Sequence, residues 1–230
     1  MDRANSPPRR NRVDPLGTLH AVPARGALMG NRGCLHDAAG RIVRGWSGRR
    51  WIACRLDVRA RRRAVMTSGR YTELFFLDAA TAYAAGHRPC AECRRADWLA
   101  FRALWAQVHG GPADADSIDR SLHAARLDGL TRRLPPADPT RLPPGAMVLA
   151  PAGPALVTAR GLAPWSFTGY GPPAPAPETV RLITPEPLVA LLRAGLGLQT
   201  AGFAPGPALG PPPTRFERPR PCPPPPNPSR

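Results

Sequence analysis

Leu74-Phe75-Phe76-Leu77-Asp78-Ala79-Ala80-Thr81-Ala82-Tyr83-Ala84-Ala85-Gly86-His87-Arg88-Pro89-Cys90-Ala91-Glu92-Cys93-Arg94-Arg95 is the stretch on which the reading of this chain turns. Its opening apolar run, Leu74 to Leu77, predicts a strand. Asp78 can cap a two-turn helix of good helix formers, Ala79 to Ala85, which Gly86 closes. Cys90 and Cys93 then stand two residues apart in a tight turn. There both sulfurs can face one ion while backbone N–H groups offset the thiolate charge. Strand, short helix, glycine stop and cysteine turn, in that order, predict an α+β module around a metal site.

Upstream, the short apolar runs Ile42-Val43, Trp51-Ile52-Ala53 and Ala64-Val65-Met66 alternate with turn residues, which predicts a small antiparallel sheet or meander. Downstream, Trp98, Phe101, Trp105 and Val108 share one face of a helix over about 95–109, ended by Gly110-Gly111-Pro112. A further helix is expected near 117–128, a linker from Pro135 to Pro144, and a hairpin from Met147–Leu149 and Ala155–Val157. A strand at Val180 to Ile183 leads through Thr184-Pro185 into a last helix that runs to Ala194. Trp165, Phe167 and Tyr170, set among Gly and Pro, are read as core. The expected organisation is a disordered basic N-terminus (1–12), a zinc-binding module of small sheet, short helices and zinc knuckle (13–112), a smaller α/β appendage (113–198) and a disordered Pro-rich tail (199–230). Twelve of the 32 prolines fall in 201–230, with almost nothing aliphatic to bury.

The net charge is +16 and every basic residue other than histidine is arginine. Wholesale arginine for lysine is a coding bias, so the distribution says more than the total. Residues 41–70 carry ten arginines against one acid, Asp57. Such a density repels itself unless it meets a polyanion. No run approaches the roughly 18–20 apolar residues of a membrane span, and Met1 to Arg12 lacks the apolar core of a secretory signal. With five cysteines, one of them Cys222 in the tail, disulfide pairing is not expected, and the compartment is read as cytoplasmic.

Tetrahedral zinc needs two ligands beyond Cys90 and Cys93. Cys54, in the strand Trp51 to Leu56, and Cys34, in the turn Gly33 to His36, make a four-thiolate set, with His36 or His87 able to replace one member. Two other readings compete. The pair precedes a helix, as a redox dithiol does, although a redox fold would want a strand before it. The thiols could also be unrelated and simply buried.

The run from Leu74 to Arg95 resembles the Ada-like metal-binding domain, the zinc module of the bacterial adaptive-response protein that repairs methylated DNA phosphates. Ile52-Ala53-Cys54-Arg55 is similar to that family's first cysteine strand, and Arg59 to Arg63 to the basic residues after it, so the resemblance covers about residues 50–95. It implies a zinc cofactor, DNA as partner, and a cysteine at Cys54 that accepts a methyl group from a phosphotriester. The chain departs from the family at Val58, where a second cysteine would stand, and in the longer segment between Cys54 and Cys90. Cys34 is then the substitute ligand, or a three-cysteine site is completed by water or histidine. The expected function is zinc-stabilised binding to a nucleic-acid backbone, DNA before RNA, through Arg49, Arg50, Arg55, Arg59, Arg61, Arg62, Arg63, Arg88 and Arg94, with Trp46 and Trp51 placed to stack on bases and Arg132-Arg133 to extend the basic surface. The alternatives are a suicidal methyl acceptor at Cys54, a metal-stabilised protein-interaction module, and a CxxC redox protein.

Overall fold

The structure is a computed structural model and describes residues 7–57 and 64–202. Val58, Arg59, Arg61, Arg62, Arg63 and Cys222 lie outside the described residues. The α+β class holds, in two six-stranded sheets, four helices and a small hairpin among the described residues.

The first sheet is built from β1 (Arg12–Val13), β2 (Leu19–His20), β3 (Leu28–Asn31), β4 (Ile52–Cys54), β5 (Leu74–Phe76) and β6 (Arg88–Pro89), in the order β2-β1-β5-β3-β4-β6. It is mostly antiparallel, but β1 pairs with β5 and β4 with β6 in parallel, so the meander is replaced by a mixed order. Ile42 makes only an isolated bridge to His36. Ala64 to Met66 form no strand: Met66 sits at φ 60 and its N–H donates to the Glu73 carboxylate. β3 and β4 approach closely at Gly30, where a Cβ would stand 2.3 Å from the Ile52 carbonyl oxygen.

Helix α1 (Ala79–Ala84) follows β5 and is buried along its whole length. Four of its six positions are alanine, which lets the backbone pack closely on both neighbouring layers. Its cap, Asp78, is itself buried. Its carboxylate accepts from the Thr81 N–H and hydroxyl, from the Tyr170 hydroxyl at 2.8 Å and from the Ala201 N–H at 2.8 Å. Gly86 ends the helix at φ +88, and a Cβ there would meet the Arg126 side chain at 2.6 Å.

Helix α2 (Arg95–His109) buries Trp98, Phe101 and Trp105, as its spacing predicts. Helix α3 (Ala115–Arg126) buries Ile118, Asp119, Leu122 and Arg126. The hairpin β7 (Leu127–Asp128) and β8 (Thr131–Arg132) follows. The second sheet comprises β9 (Pro136–Ala137), β10 (Met147–Ala150), β11 (Gly153–Thr158), β12 (Gly161–Ser166), β13 (Gly169–Tyr170) and β14 (Val180–Leu182), in the order β13-β12-β11-β10-β14-β9. The expected β10–β11 hairpin is present, with Leu149 opposite Pro154. The segment read as a linker supplies β9 at the sheet edge, where Pro136 has no N–H to leave unpaired. Helix α4 (Glu186–Arg193) is the last helix among the described residues.

The apolar core runs between the segments. One cluster joins Leu77, Ala80 and Ala84 to Met147, Trp165 and Tyr170; another joins Tyr83, Trp98 and Phe101 to Ile118, Leu188 and Leu191. Each of the larger of these side chains, Leu, Ile, Met and Phe, contributes roughly 1.5–3 kcal/mol by leaving water. Trp165 is core, and its indole N–H donates to the Thr81 hydroxyl at 3.0 Å. No helix among the described residues is long and apolar enough to cross a membrane.

Candidate metal centre

Parallel pairing of β4 with β6 assembles the centre. Ile52 lies opposite Arg88 and Ala53 opposite Pro89, so the next step of the register carries Cys54 to Cys90. The Cys90 N–H donates to the Ala53 carbonyl at 2.9 Å, which locks the two strands at the point where they deliver their thiols. The chain then turns, with the Arg94 N–H on the Cys90 carbonyl at 3.1 Å, and enters α2. The turn swings Cys93 back over the pair.

The sulfurs of Cys54, Cys90 and Cys93 lie within 4.8 Å of one another. A tetrahedral zinc–thiolate shell, with bonds of about 2.3 Å, sets its sulfurs about 3.8 Å apart, so these donors need only close slightly around an ion. The local hydrogen bonds already favour charge on sulfur. The Cys54 thiol and the backbone N–H groups of Cys93 and Glu92 all point at the Cys90 sulfur and hold it down to about 5. The hydrogen bond to Cys90 and burial push Cys54 up. Burial also pushes Cys93 up, against the pull of the Arg55 N–H. Three thiols gathered this closely, with backbone N–H groups favouring charge on one of them, could hold a metal ion.

Cys34 is not in this group. It is buried in the turn after β3, and its thiol is directed at the His36 carbonyl oxygen, 3.6 Å away. The four-thiolate set is therefore three at the site. The histidines do not supply the missing donor either. His36 holds the Thr72 hydroxyl through Nδ1 at 2.6 Å and the Thr67 carbonyl through Nε2 at 3.3 Å. His87 is fully buried against Trp51 and Phe76, with neither ring nitrogen hydrogen-bonded.

The arginines divide sharply. Arg49, Arg50 and Arg55 are exposed, Arg50 paired with Asp116 and Arg55 with Asp57. Arg88 is not a surface group: its guanidinium forms a two-pronged pair with Asp119 at 2.9 and 2.8 Å and stacks on Trp98 at 4.6 Å. Asp119 escaped the sequence reading, although its place beside Ile118 on the buried face of α3 was a signal. Arg94 is largely covered and pairs with Asp97. Trp46 and Trp51 cannot stack on bases, since they are 6% and 0% exposed. Trp51 is instead sandwiched between Arg32 at 4.7 Å and Arg126 at 3.8 Å. Arg132 is also internal and donates to the carbonyls of Ala84, Ala85 and Ile183, while Arg133 is exposed. Cys54 is the most deeply buried of the three thiols, at 0% exposed.

No family model, curated protein or solved structure matches the chain.

Proposed function

We propose that the chain is a zinc–thiolate protein that holds one zinc ion on Cys54, Cys90 and Cys93 and offers an arginine-rich surface to the phosphates of DNA. The observation that carries the reading is the convergence of three sulfurs from two strands and a turn to within 4.8 Å. Zinc suits an all-sulfur donor set with no demand for redox chemistry. The ion would tie β4, β6 and the start of α2 together. Support for the DNA partner is the exposure of Arg49, Arg50 and Arg55, within a stretch holding ten arginines and one acid. Guanidinium groups of this kind neutralise phosphates and release counterions.

Two measurements test the two halves. Native mass spectrometry of the full chain should find one zinc, absent from Cys90→Ser; a metal-free wild-type chain sinks the zinc centre. Fluorescence anisotropy with a labelled duplex should show affinity whose logarithm falls linearly with the logarithm of salt. No binding even at low salt removes the DNA partner and leaves the metal centre standing.

A further inference from the structure

We infer that the metal's fourth coordination position is filled from outside the chain, and that the centre is a binding site for a small thiol. The inference rests on the zinc–thiolate reading above and extends it to a ligand. A structural zinc site closes its shell with four protein donors, whereas a site with three keeps a position for an exogenous group. Here no fourth cysteine, histidine or carboxylate among the described residues joins Cys54, Cys90 and Cys93. The nearest candidates by sequence are committed elsewhere: Cys34 and His36 to their own loop, His87 behind Trp51 and Phe76. The residues that follow Asp57, Val58-Arg59-Ala60-Arg61-Arg62-Arg63, contain no ligating side chain at all.

The burial of the three cysteines is graded in a way that gives the open position a direction. Cys54 is 0% exposed and Cys90 4%, while Cys93 is only half-buried. A ligand therefore arrives on the Cys93 side, between the turn before α2 and the exposed Arg55 that follows β4. The Arg55 backbone N–H points at the Cys93 sulfur, so the two sit side by side there. Among ligands from solution, a shell already made of soft sulfur favours another thiolate over water. Water fills the position until a thiol displaces it. As the new metal–sulfur bond forms, the metal–water bond breaks and the thiol's proton passes to bulk water, with no change of oxidation state.

The full chain, purified with a phosphine reductant in place of thiols, would be loaded with zinc for X-ray absorption and with cobalt(II) for visible spectroscopy. Three sulfurs and one lighter atom should surround zinc. Added β-mercaptoethanol should raise the sulfur number by one and shift the cobalt ligand-field bands to saturation at one thiol per metal. Four sulfurs before any thiol is added overturn the inference, and repeating the count in Cys34→Ser and Cys222→Ser names the internal donor. Cobalt bands that ignore the thiol also overturn it. A chain that binds neither metal fails the earlier reading instead, so the two failures are distinct.

Discussion

The two sheets of this molecule are stabilised in different ways. Around the second, the strands bury an almost wholly apolar set, Met147, Val148, Leu156, Val157, Leu162, Ala163, Trp165, Tyr170 and Leu182, with Ser166 beside them. Around the first, the buried set includes Asn11, Asp14, Arg32, His36, Thr72, Glu73, Asp78, His87 and Arg88, with three thiols at one edge. Apolar packing tolerates substitution of similar volume, whereas removing one member of a buried polar pair leaves the other unsatisfied. The region of polar contacts and thiols is therefore the one whose integrity depends on single residues and, on the function proposed above, on a ligand. The apolar region is a conventional platform for it.

The sharpest way to break this comparison is to remove the metal that the three thiols are proposed to hold. Cys90→Ser or a chelator should loosen the first sheet and the start of α2, losing a fraction of the ~10 kcal/mol that structural zinc supplies. Hydrogen exchange read segment by segment should show β4 and β6 opening while β10 and β11 stay protected. Equal opening of both sheets would erase the distinction. Next in size is Asp119→Ala, which strands Arg88 in a site where the two side chains are 4% and 3% exposed. Denaturant melts should record a loss of about 3–5 kcal/mol. Met147→Ala probes the other region and should cost about 2–4 kcal/mol, with no effect on metal content.

The smallest expected effect is in acid. Burial, and then the charges of Arg32, Arg126 and Arg132, hold the His87 imidazole well below its usual value, so the folded chain does not take up that proton. The unfolded chain binds it near pH 6.5, so stability falls as pH drops below about 6.5, by up to about 1.4 kcal/mol per pH unit for this one group. His123, held down to about 4 by burial and Arg126, adds a second share over the window from its unfolded value down to that point. His87→Phe should therefore reduce the acid slope of the urea midpoint without abolishing it. An unchanged slope would mean that His87 is protonated in the folded chain.

How far sequence reading reached depended on how much of each signal was local. Helix α2 and the cap at Asp78 were legible because periodicity and capping are properties of neighbouring residues. Strand β12 was missed because Pro164 and the flanking glycines read as loop, although its alternate residues Ala163 and Trp165 are buried. Strand β6 is two residues long and ends in proline, so nothing in its composition announces it. The Cys90–Cys93 hook was visible, and Cys54 entered by its place in a strand. Cys34 could not be separated from them, because the direction of a side chain in a glycine-rich turn is decided by contacts far along the chain. The same ambiguity turned Trp51, Arg88 and Arg132 into surface groups on paper. Arginine and tryptophan serve as readily inside a fold as outside it, given carboxylates, carbonyls and rings to meet.

The pairing of β4 with β6 would make an ion held by the three thiols a clasp between two strands that run side by side in the same direction, with a long excursion of chain between them. Closing such a loop costs entropy that rises only with the logarithm of its length. Residues can therefore be added to the turns of the excursion, outside β5 and α1, with little penalty, provided both strand ends still arrive in register. In a clasp of this kind the count of residues separating two ligands carries almost no information about whether they share a metal; the register of the strands beneath them carries nearly all of it.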